Sequence, residues 1–534
     1  MQKPLTFHKA LSVLSKSSPY AVSTERNHSN QDLLDQVKAY LYIQMPIETA
    51  VYNKIASFRS NDKKVLFLCG SSGDGKSELL TKAKAIYGQK VKFHLDATHS
   101  FDPKDNAIQT LDNLFNEFES QSIPLVVGIN TGMLGNYVEE GTNEYFKTVI
   151  QNYLENVNNK QLDTFINFED YPKFYIDDVG YTSEFVQMFL DRLTAVEDNL
   201  IRQIYDKDKL NNLNEASKKL HANYELLCLP LVQKCIIELL FKARLMRDQF
   251  LTARALLDFI FMLLTGPGYL FDNLFSGGDN ELANKIIDFD PAHLRTKKID
   301  RFILANDLHL PDQEFNEFKE FLKNLGVETL GSSLSYLRLF YILKGGHFFN
   351  DYHVKFEKDF NESLIEQYIK VYQLHRDFDG SLEQKKDIKN FYNNTFRTAI
   401  RKYNNRNAPN LDKSQYLISE PNGYQLVTEL EIKADLRRIS NFIPKSSANF
   451  MAFIKVQEHS LEIPVNINLL RLMKRIADGY RPNKHDKNSV VLLDELIDEI
   501  AQVANQVSTL HIIKGNKHFT IKNIDDEEFE VSGL

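Results

Sequence analysis

The stretch Val65–Ala83, VLFLCGSSGDGKSELLTKA, decides how the rest of the chain is interpreted. An apolar run leads into a glycine-rich turn, which ends in a lysine and a serine before an amphipathic segment begins. The turn, GSSGDGKS at residues 70–77, fits the P-loop pattern of Gly, four variable residues, Gly, Lys and Ser. A buried strand before the turn and a helix that closes near Gly88 are the flanking elements that this motif requires.

Each residue type in this loop suits the binding of a triphosphate. Glycines allow backbone conformations that a Cβ forbids, so that the N–H groups converge on a phosphate at the helix N-terminus. Lys76 would reach the β- and γ-phosphates, and the Ser77 hydroxyl would ligate Mg²⁺. The alternative is a glycine-rich surface turn. We expect ATP or GTP to contact the whole loop: Gly70, Ser71, Ser72, Gly73, Asp74, Gly75, Lys76 and Ser77.

Composition narrows the class of protein. The 534 residues are enough for two to four domains, and the net charge of −8 argues against a protein that is basic throughout, although it allows a local basic face. Cys69, Cys228 and Cys235 lie in apolar runs without metal-like spacing, which indicates buried thiols in a reducing compartment. Because no apolar run reaches spanning length, we expect a cytoplasmic protein without membrane contact.

Strands alternate with helices after the loop, which predicts an α/β fold: a P-loop NTPase core of AAA+ or ASCE type, with a parallel sheet covered on both faces. We expect strands at about Val91–Asp96 and Ile123–Ile129 in this core. The predicted segments are a lead-in helix in 1–60, the core in 61–182, a helical lid in 183–284, a helical domain in 285–410 and an α+β domain in 411–534.

The last predicted domain has its own pattern. Strands are expected in YQLVTELEIKADL (424–436), FMAFIKVQE (450–458) and LEIPVNI (461–467). Two helices follow, in 469–480 and 490–507, and then a hairpin in 509–524 before an acidic tail.

Ligands of parallel sheets lie beyond the carboxyl ends of the strands. Asp96 and Asn130 fall at such ends, so they are expected to share a site with the loop. Asn130 resembles the polar sensor of AAA+-type ATPases. The magnesium carboxylate is Asp96 or Asp112, where Asp96 is alternatively a helix cap and Asp112 is more simply a solvated helix residue. No apolar strand ends in an Asp-Glu pair, and hydrolysis therefore stays an open question.

Arg254 stands near the start of a predicted lid helix that runs from about Thr252 to Gly266. A lid arginine there would reach the γ-phosphate through charge-assisted hydrogen bonds. The alternative is a surface arginine that pairs with Asp258 four residues later. Arg26 and Asn27 either close over the adenine or belong to a plain surface turn.

Weaker patterns have competing interpretations. His347, Asp351 and His353 form a possible metal cluster, although an ordinary loop is the better interpretation. Glu431 and Lys433 match a nuclease element, although outward-facing strand residues are favoured. Two basic segments either track phosphates or form solvated helix faces; they contain Arg295, Lys297, Lys298 and Arg301, and Arg397, Arg401, Lys402 and Arg406.

Five segments together resemble the DptF (DndF) family of bacterial DNA phosphorothioation-dependent restriction systems: LSVLSKSSPYAVSTERN, FLCGSSGDGKSELL, PLVVGINTGMLGNY, RLMRDQFLTARALLDFIF and IADGYRPNKHDK. The resemblance implies an ATPase that acts with partners of the DptG and DptH types against DNA that lacks the phosphorothioate sulfur. It marks Gly70, Gly75, Lys76 and Ser77 as the nucleotide site. Direct DNA contact and homo-oligomer formation are left open. The alternative function is a nucleotide-binding scaffold or switch, and a third is the nuclease itself.

Overall fold

The computed structural model describes residues 5–18, 33–59, 62–97, 106–121, 123–155, 165–210, 214–328, 330–360, 363–442, 444, 447–515, 517–525 and 528–533. The chain divides into two compact units. Unit 1 contains residues 1–174 and 183–361, and unit 2 contains residues 175–182 and 362–534. The boundary after residue 361 therefore falls inside the segment 285–410 that the sequence suggests as one helical domain.

Unit 1 is built on a parallel sheet of four strands, in the spatial order β2-β3-β1-β4. The strands are β1 (Val65–Cys69), β2 (Lys92–His94), β3 (Leu125–Ile129) and β4 (Phe165–Asn167). The first strand lies between the third and the fourth, with Phe67 opposite both Val127 and Phe165. This order is compatible with a P-loop-like core, and it places the carboxyl ends of all four strands at one edge.

Helices cover the sheet on both faces, and the central strands are therefore buried on both sides. In β1, Val65, Phe67 and Cys69 pack into one core, whereas Leu66 and Leu68 pack into the other. This alternation is the period of two that a strand imposes on its side chains. The continuous apolar run of β1 is therefore what a parallel sheet between two helical layers requires.

The described residues of unit 1 also form seventeen α-helices. They are α1 (Phe7–Leu11), α2 (Leu33–Leu41), α3 (Pro46–Ala56), α4 (Lys76–Tyr87), α5 (Ala107–Ser120), α6 (Thr131–Glu140), α7 (Glu144–Leu154), α8 (Glu184–Thr194), α9 (Leu200–Lys209), α10 (Glu215–Leu227), α11 (Pro230–Arg247), α12 (Ala253–Thr265), α13 (Leu270–Asn273), α14 (Glu281–Ile286), α15 (Lys297–Asp307), α16 (Gln313–Lys323) and α17 (Ser333–Ile342). Among the helices of the described residues, none is both long and apolar enough to cross a membrane.

The described residues of unit 2 form three antiparallel sheets and six α-helices. Its strands are β5 (Tyr175–Ile176), β6 (Tyr181–Thr182), β7 (Gln415–Ser419), β8 (Gln425–Glu429), β9 (Ile432–Ala434), β10 (Asn449–Val456), β11 (His459–Asn466), β12 (Thr509–Lys514), β13 (Lys517–Asp525) and β14 (Glu528–Ser532). Its helices are α18 (Ser363–Arg376), α19 (Leu382–Phe391), α20 (Thr398–Asn404), α21 (Leu436–Asn441), α22 (Ile467–Ala477) and α23 (Lys487–Ala504). The sheet orders are β5-β6, β11-β10-β9 and β14-β13-β12-β8-β7.

The hairpin β5–β6 belongs to unit 2 although it lies between two parts of unit 1 in the sequence. Helix α18 holds it: the Arg376 guanidinium donates to the Ile176 carbonyl at 2.5 Å and pairs with Asp178 at 2.6 Å. The Gln373 amide donates to the Asp177 carbonyl at 2.6 Å. These bonds tie the hairpin to a helix almost 200 residues further along the chain.

Several predicted strands have different bounds in the structure. The third strand begins at Leu125 and not at Ile123, because Pro124 has no N–H to donate and Ile123 is exposed. The second strand stops at His94, two residues before the predicted end. The single predicted strand 424–436 is wrong: β8 and β9 belong to different sheets.

Two further features differ from expectation. The acidic tail supplies β14, which pairs antiparallel with β13. The expected buried thiols are found for Cys69 and Cys235, whereas Cys228 is half-buried. Burial raises the pKa of Cys69 and of Cys235 to about 12 each, which makes these two thiols inert at neutral pH.

Asp112 on α5 is not the solvated residue that the sequence favours. It is 8% exposed, and its carboxylate accepts hydrogen bonds from the Tyr137 hydroxyl at 2.6 Å and from the backbone N–H groups of Thr142 at 2.9 Å and Asn143 at 3.3 Å. Burial alone raises the pKa of Asp112, but these hydrogen bonds outweigh it and hold the pKa below its ordinary value. Asp112 therefore fixes the connection between α6 and α7.

Replacing this carboxylate should lower the stability of unit 1. We expect Asp112→Asn to reduce the free energy of unfolding by about 1–3 kcal/mol at neutral pH, because three donors lose a charged acceptor. The folded pKa is depressed, so this contribution is present above the unfolded pKa of about 3.9 and disappears as the pH falls through the folded value. Urea unfolding against pH measures it. The exposed Glu119→Gln on the same helix is the control; equal effects would contradict the assignment.

Candidate functional site

A cavity of about 400 Å³ in unit 1 collects residues that are far apart in the sequence. The loop after β1 forms one wall, and side chains that follow β2 and β3 form the next. Helix α12 contributes Ala253, Arg254 and Leu257. The candidate site residues that line the cavity are Ser72, Gly73, Asp74, Gly75, Lys76, Ser77, Asp96, Asn130 and Arg254.

The loop has the left-handed turns that its glycines permit. Gly73 has φ +83° and Gly75 has φ +102°, and Gly75 is the N-cap of α4. A Cβ on Gly75 would touch nothing within 4 Å, so its backbone angle and not its surroundings requires glycine. Gly70 lies deeper, where a Cβ would approach the Phe168 ring to 3.0 Å.

Lys76 spans the loop from within. Its ammonium donates to the carbonyl oxygens of Gly70 at 2.9 Å and Ser71 at 2.7 Å. The side chain is buried, and burial is the largest cause that lowers the pKa of Lys76; the charges of Asp74 and Asp96 oppose this effect. The carbonyl groups of Gly70 and Ser71 thus fix the position of the lysine side chain, which also lines the cavity.

A second lysine, which the sequence analysis did not identify, lies beside the loop. Lys173 pairs with Asp74 at 2.8 Å, and both side chains are about one-tenth exposed. The other Asp74 oxygen accepts from the Ser71 backbone N–H at 2.8 Å. Asp74 therefore shapes the loop through these contacts. Lys173 follows β4 in an ordinary YPKFY sequence, which contains no signal of this pairing.

Asp96 and Asn130 both line the cavity, as their positions after strands predict. The Asn130 side-chain oxygen accepts from the Met133 N–H at 2.7 Å and caps α6. Asp96 lies near enough to Lys76 for its charge to raise the lysine pKa. Asp112 does not line this cavity, which leaves Asp96 as the candidate for the magnesium carboxylate.

The other carboxylates that line the cavity have structural partners. Glu78 pairs with Lys38 at 2.9 Å, and Glu48 accepts from the Met45 N–H at 2.9 Å within the N-terminal turn of α3. Asp74 is held by Lys173 as described above. Asp96 differs from these three because it lies two residues after β2, at the carboxyl end of the parallel sheet.

Helix α12 begins directly against the loop. The Arg254 backbone N–H donates to the Gly73 carbonyl at 3.2 Å, and Thr252 caps the helix by accepting from Ala255. A Cβ on Gly73 would lie 3.2 Å from the Thr252 hydroxyl oxygen and 3.3 Å from the Arg254 Cβ. Residue Asp258, the suggested partner of Arg254, accepts instead from the Lys16 N–H and from Asn280.

The cavity also has a group of apolar side chains in its lining. They come from the N-terminal segment, from α2 and the residues after it, and from α3, α8 and α12: Val13, Leu14, Leu41, Ile43, Ile47, Phe189 and Leu257. The bond from the Lys16 N–H to Asp258, at 2.8 Å, fixes the N-terminal segment on α12. Arg26 and Asn27 lie outside the described residues.

The weaker candidates separate in the structure. His353 is fully buried and its Nε2 lies 2.8 Å from the Gly346 carbonyl, whereas His347 is exposed, so the suggested metal cluster does not form. In the described part of the chain, no three His, Cys, Asp or Glu side chains gather as a metal site. Glu431 and Lys433 are exposed and pair with each other at 2.5 Å.

Comparison of the chain with models of protein families, with curated proteins and with solved structures gives no match. The interpretation of the site therefore depends on its own residues and geometry.

The contact between Gly73 and α12 can be tested by adding one methyl group. We expect Gly73→Ala to reduce the free energy of unfolding by about 1–2 kcal/mol, because L residues resist a positive φ, with a further cost from the Thr252 contact. Gly135→Ala is the matched control: this glycine lies within α6 with nothing near its Cβ, and alanine there should stabilise by about 0.5–1 kcal/mol. Chemical denaturation of both variants measures the difference. A neutral effect of Gly73→Ala would mean that the loop does not hold this conformation.

Proposed function

We propose that unit 1 binds ATP with Mg²⁺ in this cavity and is a P-loop ATPase of AAA+ or ASCE type. One observation carries the proposal: a glycine-rich loop at the carboxyl end of a parallel strand shares a cavity with Lys76, Asp96, Asn130 and Arg254. These are the residue types that phosphoryl transfer needs for phosphate binding, metal binding and positioning of the attacking water.

The phosphates are assigned to the loop end of the cavity. The backbone N–H groups at the start of α4 and the partial positive charge of that helix favour an anion there. Lys76 supplies a full charge next to them, and its bonds to Gly70 and Ser71 fix its position before a phosphate arrives. Hydrogen bonds from Lys76 to phosphate oxygens would offset the desolvation that lowers its pKa.

Magnesium binding is assigned to Ser77 and Asp96. A hydroxyl and a carboxylate are the hard oxygen ligands that this cation takes, together with waters and substrate phosphates. When bound, Mg²⁺ neutralises charge that develops on the phosphate oxygens. Asn130 already uses its side-chain oxygen to cap α6, so its amide nitrogen is the group that would contact the γ-phosphate or the attacking water.

The nucleoside is assigned to the apolar side chains of the lining. Burial of a flat aromatic base against aliphatic side chains is favourable, at roughly 25 cal/mol per Å² of apolar surface removed from water. Leu14 and Ile43 belong to the segment before the loop, and Leu257 belongs to α12. Base, phosphates and lid helix would thus be joined by one ligand.

Arg254 connects the nucleotide to the position of α12. Its backbone N–H donates to the Gly73 carbonyl, and the residue lines the cavity. A guanidinium that pairs with the γ-phosphate would favour one lid position over another only by its differential affinity. The predicted role of this arginine as a lid sensor remains part of the proposal.

The biological role follows from the resemblance to the DptF family. We propose that the chain is the ATPase subunit of a bacterial phosphorothioation-dependent restriction complex in the cytoplasm. ATP binding and hydrolysis would drive partners of the DptG and DptH types on unmodified DNA.

A second candidate function is a nucleotide-binding scaffold or switch without productive hydrolysis. The observation in its favour is that Asp96 stands without a neighbouring acid in the sequence LDAT, so no second carboxylate follows it to activate water. Phosphate release distinguishes the two functions. The nuclease interpretation has no support from Glu431 and Lys433, which are exposed and paired.

Removal of the loop lysine should abolish nucleotide binding. We expect Lys76→Ala to weaken ATP binding at least about a hundredfold, because a charge-assisted contact of roughly 3 kcal/mol is lost. Titration calorimetry with ATP and Mg²⁺ measures this. Lys84→Ala, an exposed lysine on the same helix, is the control and should bind as the wild type does. Equal affinity of Lys76→Ala and wild type would refute the site.

The proposed role of Asp96 in hydrolysis can be tested separately from ATP binding. We expect Asp96→Asn to retain ATP binding within about tenfold and to lose phosphate release by about a hundredfold or more, because the amide is a poor magnesium ligand. A malachite-green assay with purified chain, alone and with DNA, follows the release. Asp112→Asn should leave turnover unchanged. No release from the wild type under any of these conditions would favour the switch.

A further inference from the structure

Unit 2 has a separate cavity of about 670 Å³ that the proposed nucleotide site does not use. Two segments that are about 75 residues apart form it. One is the end of α20 with the turn after it, and the other is the loop between α22 and α23. Six basic side chains line the cavity: Arg401, Lys402, Arg406, Arg481, Lys484 and Lys487. No Asp or Glu is found among the described residues that line it.

This lining contrasts with the whole chain, which has 72 acidic and 64 basic residues. On a surface of mixed charge, most lysines and arginines lie near a carboxylate. Arg481, Lys484 and Lys487 are exposed, and within the described part of the chain none of them has an ion pair. Lys402 and Arg406 donate to backbone carbonyls, of Ala477 at 2.6 Å and of Tyr403 at 2.9 Å. The positive charge of the cavity is therefore not neutralised by its own walls.

The nearest acidic groups are already engaged by other residues. Asp486 accepts from the Tyr480 hydroxyl at 2.8 Å and the Asn483 N–H at 3.0 Å, and it faces Arg475 at 3.6 Å. Burial raises the pKa of Asp486, but these contacts outweigh it and lower the pKa below its ordinary value. Asp494 accepts from the Tyr403 hydroxyl at 2.7 Å.

The loop that presents the basic side chains is held in one conformation. Asn483 caps the short turn 484–486 by accepting from the His485 N–H, and Asp486 returns a bond to the Asn483 N–H. The Asn483 amide also donates to the Tyr480 hydroxyl at 2.8 Å. Arg481 and Lys484 thus project from a loop that has little ordering entropy left to lose on binding.

We propose that this basic cavity binds the phosphodiester backbone of a nucleic acid. Six cations exceed the charge of one phosphate, which carries at most about two negative charges. A run of phosphodiesters, each with one negative charge, matches cations that are spread over two segments of the chain. The side chains of Asn405, Tyr480 and Asn483 in the lining already form hydrogen bonds within the protein. The arginines and lysines therefore supply the proposed contacts, which are to the backbone and not to sequence.

The proposal does not depend on the nucleotide site of unit 1. It gives a role to the basic segment Arg397–Arg406 and to the loop IADGYRPNKHDK. Neither of these segments takes part in the proposed ATP site. The first is exposed at Lys402 and Arg406, and the second supplies Arg481, Lys484 and Lys487.

Fluorescence anisotropy with the full chain tests this cavity. The probes are labelled duplex DNA, single-stranded DNA and RNA of one arbitrary sequence, titrated over a range of salt. We expect binding that weakens with salt, and a triple variant Arg481→Gln, Lys484→Gln, Lys487→Gln that binds about tenfold or more weakly at moderate salt. The log–log salt slope should fall by about 2–3, because each phosphate contact contributes about 0.9. The probe bound most tightly identifies DNA or RNA as the source of the backbone.

Matched controls keep the result specific. Lys370→Gln, Lys386→Gln and Lys389→Gln remove the same charge from exposed positions on α18 and α19, and should retain the wild-type slope. Lys76→Ala should also bind nucleic acid normally, so failure here is separable from failure of the ATP site. Lys484→Gln alone should lower the slope by about one and serves if the triple variant is unstable. Equal loss in both triple variants, no binding at low salt, or binding of inorganic phosphate alone would overturn the proposal.

Discussion

The parallel pairing of β1 with β3 on one side and β4 on the other is the constraint on which the site depends. Hydrogen bonds in register bring the ends of these strands to one edge, so that the loop after Cys69 and the side chain after Ile129 must be neighbours. Burial on both faces makes the register costly to change, because a slip of one residue exchanges the two cores. The geometry of the cavity is therefore a consequence of sheet packing more than of the loop itself.

The sequence is sufficient to predict β1, the loop after it, α4 and α12, and it predicts the other elements less well. These elements have local signals: a continuous apolar run, glycines, a threonine cap and a closing Gly-Pro. Helix α12 begins after Thr252 and ends before Gly266, as its pattern predicts. Asp96 and Asn130 were located by a topological rule, since strand ends of a parallel sheet share an edge.

The structural features that the sequence did not predict depend on contacts between residues that are far apart in the chain. Lys173 meets Asp74 across 99 positions of the sequence, and nothing in YPKFY indicates a buried ion pair. Asp112 occupies a polar position on an amphipathic helix, and only the fold reveals that Tyr137 and Thr142 enclose it. The acidic tail became a strand because β13 offered it an edge, and pairing overrode its low propensity.

The hairpin β5–β6 has a consequence for how the protein can be divided. The chain leaves unit 1 after Phe174, contributes two short strands to unit 2 and returns at Ser183, so the backbone crosses between the units three times. A fragment that stops at residue 361 would contain this hairpin without Gln373 and Arg376, and the complementary fragment would lack the hairpin's backbone acceptors. Limited proteolysis or gene truncation at that boundary would thus damage both halves, and neither part is a removable appendage of the other.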